Sequence, residues 1–225
     1  RIDGTASVIW DPSLEASVAL NGTGFDPAAV HPDWPGLLDF TLRAGAEVEA
    51  AETTARIETL TVRGELRDEP LNVETSGTFE SGVVVVDRMQ AELGSARLNA
   101  NGRYADTVDF DFELDADDLG EVMPAASGEL SAVGTLRGTV PQLDIDATVR
   151  ASELSYQDFT IESLDLTADV DLTDRRESSL AFKVEGAESP AISVERVALD
   201  VAGKLSDHRL TLNAITSQGD ADIGI

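Results

Sequence analysis

The chain has 225 residues, of which 43 are acidic and 16 are basic, so its formal net charge is −27. A surface this acidic repels phosphate, which disfavours both nucleic-acid binding and adsorption to an anionic bilayer. The hydrophobic fraction is 42%, there is no cysteine, and Val, Leu, Ile, Ala and Thr suit pleated, half-buried strands. Composition therefore predicts a folded β protein with a solvated acidic exterior.

The ends of the sequence suggest an excised piece. No stretch approaches the roughly 20 apolar residues of a membrane span, and neither an initiator Met nor a signal peptide is present. The last residues, from Gly219 onwards, stop inside an alternating pattern. We expect a fragment of a longer repetitive protein, with any anchor or targeting segment outside it.

Apolar and polar residues alternate along the whole chain, which predicts strands with one apolar and one polar face. In the clearest run, acidic residues alternate with apolar ones from Val108 to Ala116. One-sided alternation predicts antiparallel neighbours or a curved sheet with a single solvated face. The predicted inward residues are, in chain order, Val18, Leu20, Phe40, Leu42, Val108, Phe110, Phe112, Leu114, Leu143, Ile145, Val149, Leu164, Leu166, Val170, Phe182, Val184, Leu210 and Leu212.

A short repeat places two apolar residues three positions apart, with an acidic residue directly after the first. Its four copies begin at Ile57, Val86, Ile161 and Val194. Strand alternation needs an even spacing, so both apolar residues can face inward only if the chain inserts a bulge or turns a corner. A polar turn and a return strand follow, so the repeating unit is a corner plus a hairpin of roughly 25–33 residues.

A longer repeat, Asp-x3-Val-x-Pro-x3-Gly, begins at Asp26 and again 92 residues later at Asp118. An Asp before a short apolar pair, with Pro after it, predicts one capped helical turn near 26–31 and another near 118–123. A new run of strands follows each turn. The chain is therefore predicted to be an all-β, elongated, curved and mostly antiparallel sheet.

The same echo suggests two sub-repeats, residues 1–116 and 117–225. We expect both to belong to residues 1–225 as one fragment of a longer repetitive β protein.

Catalytic and metal-binding signals are nearly absent. His31 lies in a Pro-rich connector and His208 in a hairpin turn, where exposed histidines without a chemical role are expected. No metalloprotease, nucleophile-elbow, Walker or dinucleotide motif occurs. The acidic run from Asp109 to Asp118 is predicted to lie on a strand, where alternate side chains form a row rather than the cage that Ca²⁺ needs. We predict no enzyme activity, no cofactor and no metal site.

The repeated apolar face is the remaining candidate for a function. A closed β-sandwich core would explain it, and composition alone favours that interpretation. However, the face has few aromatic residues to fill a closed centre, and a sheet that curls without sealing would leave a continuous apolar trough. Such a trough suits acyl chains, since burying each CH₂ contributes about 0.8 kcal/mol without any polar contact.

The segment Met123–Leu143, MPAASGELSAVGTLRGTVPQL, resembles the repeats of the TamB family within the wider AsmA-like group. Asp144–Leu154 and Pro32–Phe40 fit the same style, and the likeness spans most of the chain. The resemblance implies a C-terminal-type β-taco segment, a long U-shaped sheet with an apolar inside. It also implies a periplasmic location, in a protein anchored in the inner membrane of a Gram-negative bacterium.

The resemblance further implies an outer-membrane partner of the Omp85 class (TamA-like), reached through other parts of the full protein. We expect a non-enzymatic conduit segment that carries phospholipid acyl chains along the inward residues between the two membranes, and so contributes to outer-membrane biogenesis. Two alternatives stay open. One is a chaperone-like scaffold that assembles outer-membrane β proteins by strand augmentation, and the other is a sealed structural β-solenoid stalk.

Overall fold

A computed structural model describes residues 1–10, 14–49, 52–217 and 219–224. The chain divides into two compact units, Arg1–Asp106 and Thr107–Ile225. Within each unit the strands follow one another in chain order, without a crossover. The predicted all-β, antiparallel and repetitive sheet is confirmed, while the two sub-repeats stay a prediction.

The first unit is a meander of long strands. In chain order its elements are β1 (Ile2–Ile9), β2 (Leu14–Phe25), a 3₁₀ turn (Pro27–Ala29), β3 (Gly36–Glu49), β4 (Glu52–Leu66), β5 (Glu69–Glu80), β6 (Val83–Leu93) and β7 (Ala96–Tyr104). Each strand pairs antiparallel with the next. Because side chains alternate along a strand, each strand contributes every second residue to the same apolar face.

The second unit repeats this arrangement. Its elements are β8 (Val108–Ala116), α1 (Leu119–Val122), β9 (Ala126–Thr139), β10 (Gln142–Tyr156), β11 (Phe159–Asp171), β12 (Ser178–Glu188), β13 (Ser193–Lys204), β14 (Asp207–Thr216) and β15 (Gly219–Gly224). Here too, each strand pairs antiparallel with the next. The acidic run predicted to form a row lies on β8 from Asp109 to Asp115, whereas Asp117 and Asp118 come after the strand, where Asp118 caps α1.

Both predicted helical turns are confirmed, and they have the same cap. The side chain of Asp26 accepts a hydrogen bond from the backbone N–H of Ala28 at 3.0 Å, and Asp118 accepts one from Gly120 at 2.8 Å. Asp26 also accepts a bond from the N–H of Gly36 at 3.3 Å, where β3 begins. A single carboxylate therefore secures both ends of the first connector.

The predicted phase switches are confirmed as β-bulges in the first unit. Ile57 pairs with Gly77 and Leu60 pairs with Thr75, so β4 has one more residue than β5 between these pairs. The strand β6 has an extra residue in the same way at Asp87. An inserted residue returns the alternation to the same face, so apolar residues three apart both point inward.

In the second unit the extra residues lie side by side across four strands. The pairings of β10 to β13 skip residues that stand opposite one another, namely Glu153, Glu162, Gly186 and Glu195. Register shifts appear only at the outer pairings, between β9 and β10 and between β13 and β14. Gly186 has a φ of 61°, a left-handed conformation that costs glycine little. The alternation of inward and outward side chains therefore shifts by one residue at the same level in all four strands.

Candidate functional site

An open apolar groove of about 580 Å³ crosses the strands of the first unit. Its floor consists of two rows of cross-strand partners on β1 to β6. The Phe79 row is Val8, Ala16, Ala46, Ala55, Phe79 and Val84, and the Gly77 row is Ala6, Val18, Ala44, Ile57, Gly77 and Val86. Six strands spaced about 4.8 Å apart make each row about 24 Å long.

The large side chains of the groove reach solvent. Phe79 is 44% exposed, and Val8, Ile57 and Val84 are exposed as well. A close-packed sheet core would bury side chains of this size. Their convergence on one groove is typical of a site that an apolar ligand covers. The apolar inside expected of a β-taco is therefore open to solvent in this unit.

Small residues keep the floor of the groove low. Ala44 and Ala46 supply both rows on β3, and Gly77 stands two residues from Phe79 on β5. A Cβ atom at Gly77 would lie 2.4 Å from the backbone oxygen of Val85, so this position has no room for a side chain. The volume of the groove is the space that larger floor residues would otherwise fill.

The floor offers hydrocarbon contacts and few polar ones. Strands β2 to β6 pair on both sides, so their backbone N–H and C=O groups are used in the sheet. Among the groove residues whose side chains point inward, Thr75 is polar. Its hydroxyl donates a hydrogen bond to the backbone oxygen of Arg88 at 3.1 Å. A polypeptide in the groove would leave its backbone groups unpaired, whereas an acyl chain has none to pair.

The predicted inward residues lie on the apolar face of their unit, but only one of them lines this groove. Val18 belongs to the Gly77 row. Leu20, Phe40 and Leu42 lie on the same face, at other levels of β2 and β3. The predicted residues of the second unit share one face there, as in the row Leu114, Val149, Leu166, Phe182 and Leu212, with Ala132 and Leu199 between them. Their contact with lipid stays a prediction.

Several groove residues were not predicted from the sequence, chiefly Ala44, Ala46, Ala55, Phe79 and Val84. The prediction selected large aliphatic residues in long alternating runs, whereas the groove exists where side chains are small. Recognising it requires knowing which residues of different strands lie at one level, and this depends on hairpin register.

The turn between β11 and β12 is built around a buried carboxylate. Asp171 is 3% exposed, and it accepts hydrogen bonds from the backbone N–H groups of Thr173, Arg175 and Arg176 at 2.8, 3.0 and 2.8 Å. The Thr173 hydroxyl also donates to it. These donors hold the pKa of Asp171 well below its usual range, and the Thr173 hydroxyl has the largest effect. Burial acts in the opposite direction and raises this pKa, but by less.

Arginines on the polar face of the second unit bridge carboxylates. Arg176 contacts both Asp144 and Asp169, and these hydrogen bonds raise the pKa of its guanidinium. Arg137 contacts Asp111 at 2.9 Å. Since carboxylates outnumber the arginines here, this cluster stabilises the turn and does not form an anion site.

The histidines and the acidic residues of the described part of the chain were also considered as candidate sites. His31 and His208 are both exposed, as predicted. Within the described ranges, no group of three or more His, Asp or Glu residues is placed to hold a metal ion. No helix there has the length and apolar character needed to cross a membrane.

The family model described as TamB, N-terminal domain, matches residues 1–225. The sequence led us to expect a C-terminal-type segment of this family, and the match corrects that detail, because the matching model is the N-terminal one. No solved structure matches the chain. Since the match covers every residue, the chain belongs to the TamB family.

Proposed function

We propose that this segment carries phospholipid acyl chains along the apolar groove, as one part of a non-enzymatic conduit between the inner and outer membranes. Membership of the TamB family supports a role in outer-membrane assembly or lipid transport. The groove favours the lipid role. The observation that carries the proposal is the pair of apolar rows, which continue across six strands and remain open to solvent.

The free energy for holding a chain comes from hydrophobic transfer. Each fully buried CH₂ contributes about 0.8 kcal/mol, and a chain in an open groove keeps part of its surface in water. Binding is then spread over many small and similar contacts. A chain can move along such a floor because no single strong contact has to break first.

Charge determines where the lipid headgroup lies in this proposal. The net charge of −27 and the acidic residues of the opposite face repel an anionic headgroup. A headgroup in solvent above the groove avoids these residues. We therefore expect zwitterionic phospholipids to be carried better than anionic ones of equal chain length.

The proposal includes a periplasmic location for the segment, within a protein anchored in the inner membrane. It also includes an Omp85-class (TamA-like) partner that contacts regions outside residues 1–225. Family membership supports both statements. Outer-membrane biogenesis would then depend on this segment through its supply of lipid.

The test is a matched pair of charged variants on β3. Ala46→Asp places a carboxylate on the groove floor, and Thr41→Asp places one on the opposite face of the same strand. We expect phospholipid that co-purifies with residues 1–225, measured by native mass spectrometry, to fall at least tenfold for Ala46→Asp only. Circular dichroism checks that both variants fold. Equal lipid content in the two folded variants would show that the groove is not the lipid site.

A further inference from the structure

We infer that the first unit contains a localised station for a single hydrocarbon chain, centred on Ala44 and Ala46, and that larger side chains close the matching place in the second unit. The inference rests on the proposed function, because it takes the occupant to be an acyl chain. It differs from a uniform floor, in which every apolar level of both units would bind lipid equally.

The longer sequence repeat, whose copies are 92 residues apart, identifies the positions of the second unit that correspond to the groove. The same offset puts Val108 at the position of Ala16, Phe110 at that of Val18, Leu136 at that of Ala44 and Gly138 at that of Ala46. Strand pairing extends the match to the next strand. Ile57 pairs with Ala44 in the first unit, and Ile145 pairs with Leu136 in the second.

Side-chain size at these levels differs between the units. The second unit has Phe110 and Leu136 where the first has Val18 and Ala44. The contrast continues on the following strands. Gly138 is itself smaller than Ala46, but Leu143 stands opposite it where Ala55 stands opposite Ala46. Val170 likewise stands opposite Ile145 where Gly77 stands opposite Ile57.

Burial agrees with this difference in size. Ile57 and Phe79 of the first unit are 42% and 44% exposed, whereas Phe110, Leu136 and Ile145 are half-buried. A cavity of about 450 Å³ at this end of the second unit is lined by polar residues such as Arg137 and Arg176. At these levels, the larger apolar side chains of the second unit are therefore less exposed than those of the groove.

The width of the groove suits one chain. The two rows hold residues two apart on each strand, so they are about 7 Å from one another. Carbon atoms in contact lie about 3.5–4.0 Å apart. The space between the two rows therefore accepts one row of methylenes and not two. A two-chain phospholipid would place one chain in the station and keep the other outside it.

Photocrosslinking tests the station directly. Phe79 and Phe110 are each replaced, in separate proteins, by the photoreactive aromatic residue benzoylphenylalanine, so that an aromatic side chain is kept. The probe is lysophosphatidylcholine with one palmitoyl chain, and adducts are counted by mass spectrometry after illumination. We expect at least ten times more adduct at position 79 than at position 110.

Variants that exchange side-chain size between the units sharpen the test. Ala44→Leu installs the residue of the second unit, and should lower the adduct at position 79 at least fivefold. Thr41→Leu, on the opposite face of β3, should leave it unchanged. Leu136→Ala should raise the adduct at position 110.

The outcomes separate the station from the proposed function. Equal adducts at positions 79 and 110 would overturn the station and leave the conduit supported. A larger adduct at position 110 would also overturn the station. No adduct at either position, in proteins whose circular dichroism matches the unchanged chain, would overturn both. The comparison of the two positions needs no size variant, so it holds even if one of these variants fails to fold.

Discussion

The two units share a hairpin topology and differ in the side chains on their apolar face. In the first unit, Val84 on the groove floor is 39% exposed, whereas Val184 of the second unit is 8% exposed. Both are valines on the inward face of a strand. Strand pairing therefore decides where the apolar face lies, while the size of the residues on it decides whether that face is packed or grooved.

A charge placed on each of these valines gives the largest expected contrast. Val184→Asp buries a carboxylate without a partner and should lower the free energy of unfolding by about 3 kcal/mol or more. Val84→Asp keeps its carboxylate in contact with water, so we expect a loss of about 1 kcal/mol or less. Urea unfolding followed by circular dichroism measures both. Similar losses would mean that the first floor is as packed as the second.

Removal of an aromatic ring should give a smaller contrast in the same direction. The ring of Phe112 lies over Gly134, where an added Cβ would be 2.9 Å from it. We expect Phe112→Ala to cost about 2–3 kcal/mol, somewhat below the cost for a fully buried ring. Phe79→Ala should cost about 1 kcal/mol, because nearly half of this side chain is already exposed. Urea midpoints of the two variants check this, and the reverse order would contradict the comparison.

Acid should affect the two units unequally. The pKa of Asp171 is lowered in the folded second unit, so its stabilising effect is complete above the unfolded value near 3.8 and is lost as pH falls towards the folded value. The second unit should therefore lose this stability below about pH 4. Asp171→Asn should be less stable than the unchanged chain at neutral pH, and the gap should narrow with acid.

Tryptophan fluorescence separates the units in this experiment. Trp10 and Trp34 are the two tryptophans of the chain, and both belong to the first unit. Circular dichroism follows both units. We expect Asp171→Asn to change the circular-dichroism transition and not the fluorescence transition. A fluorescence midpoint that shifts equally would show that the units unfold together.

The smallest effect is expected from an exposed ion pair. Arg150 and Asp165 are 3.8 Å apart, with side chains 70% and 56% exposed. Such pairs contribute about 0–1 kcal/mol, so Arg150→Ala should lower the free energy of unfolding by about 0.5 kcal/mol or less in urea. A larger loss would mean that the polar face, and not only the apolar one, distinguishes the second unit.

Much of the fold could be predicted because its signals are local. The alternation along β8 identifies a strand, and the spacing of Ile57 and Leu60 requires an extra residue between them. Asp26 and Asp118 identify capped turns by their position before a short apolar pair and a proline. In each case the residues concerned lie within one strand or one connector, where the chain geometry allows few alternatives.

The groove could not be predicted because it depends on distant residues. Ala16, Ala46 and Ala55 come from three strands and meet at one level only through the registers of two hairpins. Alanine is also an ambiguous signal, since it occurs in packed sheets as readily as in open ones. The burial of Asp171 could not be predicted either. The sequence indicates a polar turn but does not show that one carboxylate is buried at its centre.

The connection of each strand only to its chain neighbours has a consequence for folding. Contacts within each unit are made between hairpin partners, so their sequence separation is small and the entropy lost in closing each loop is modest. Strands can therefore be added one at a time to those already formed, like a zipper. The inserted residues Glu58 and Asp87 then favour the correct register. A hairpin that closes in another register would point its next apolar residues towards water and would reopen.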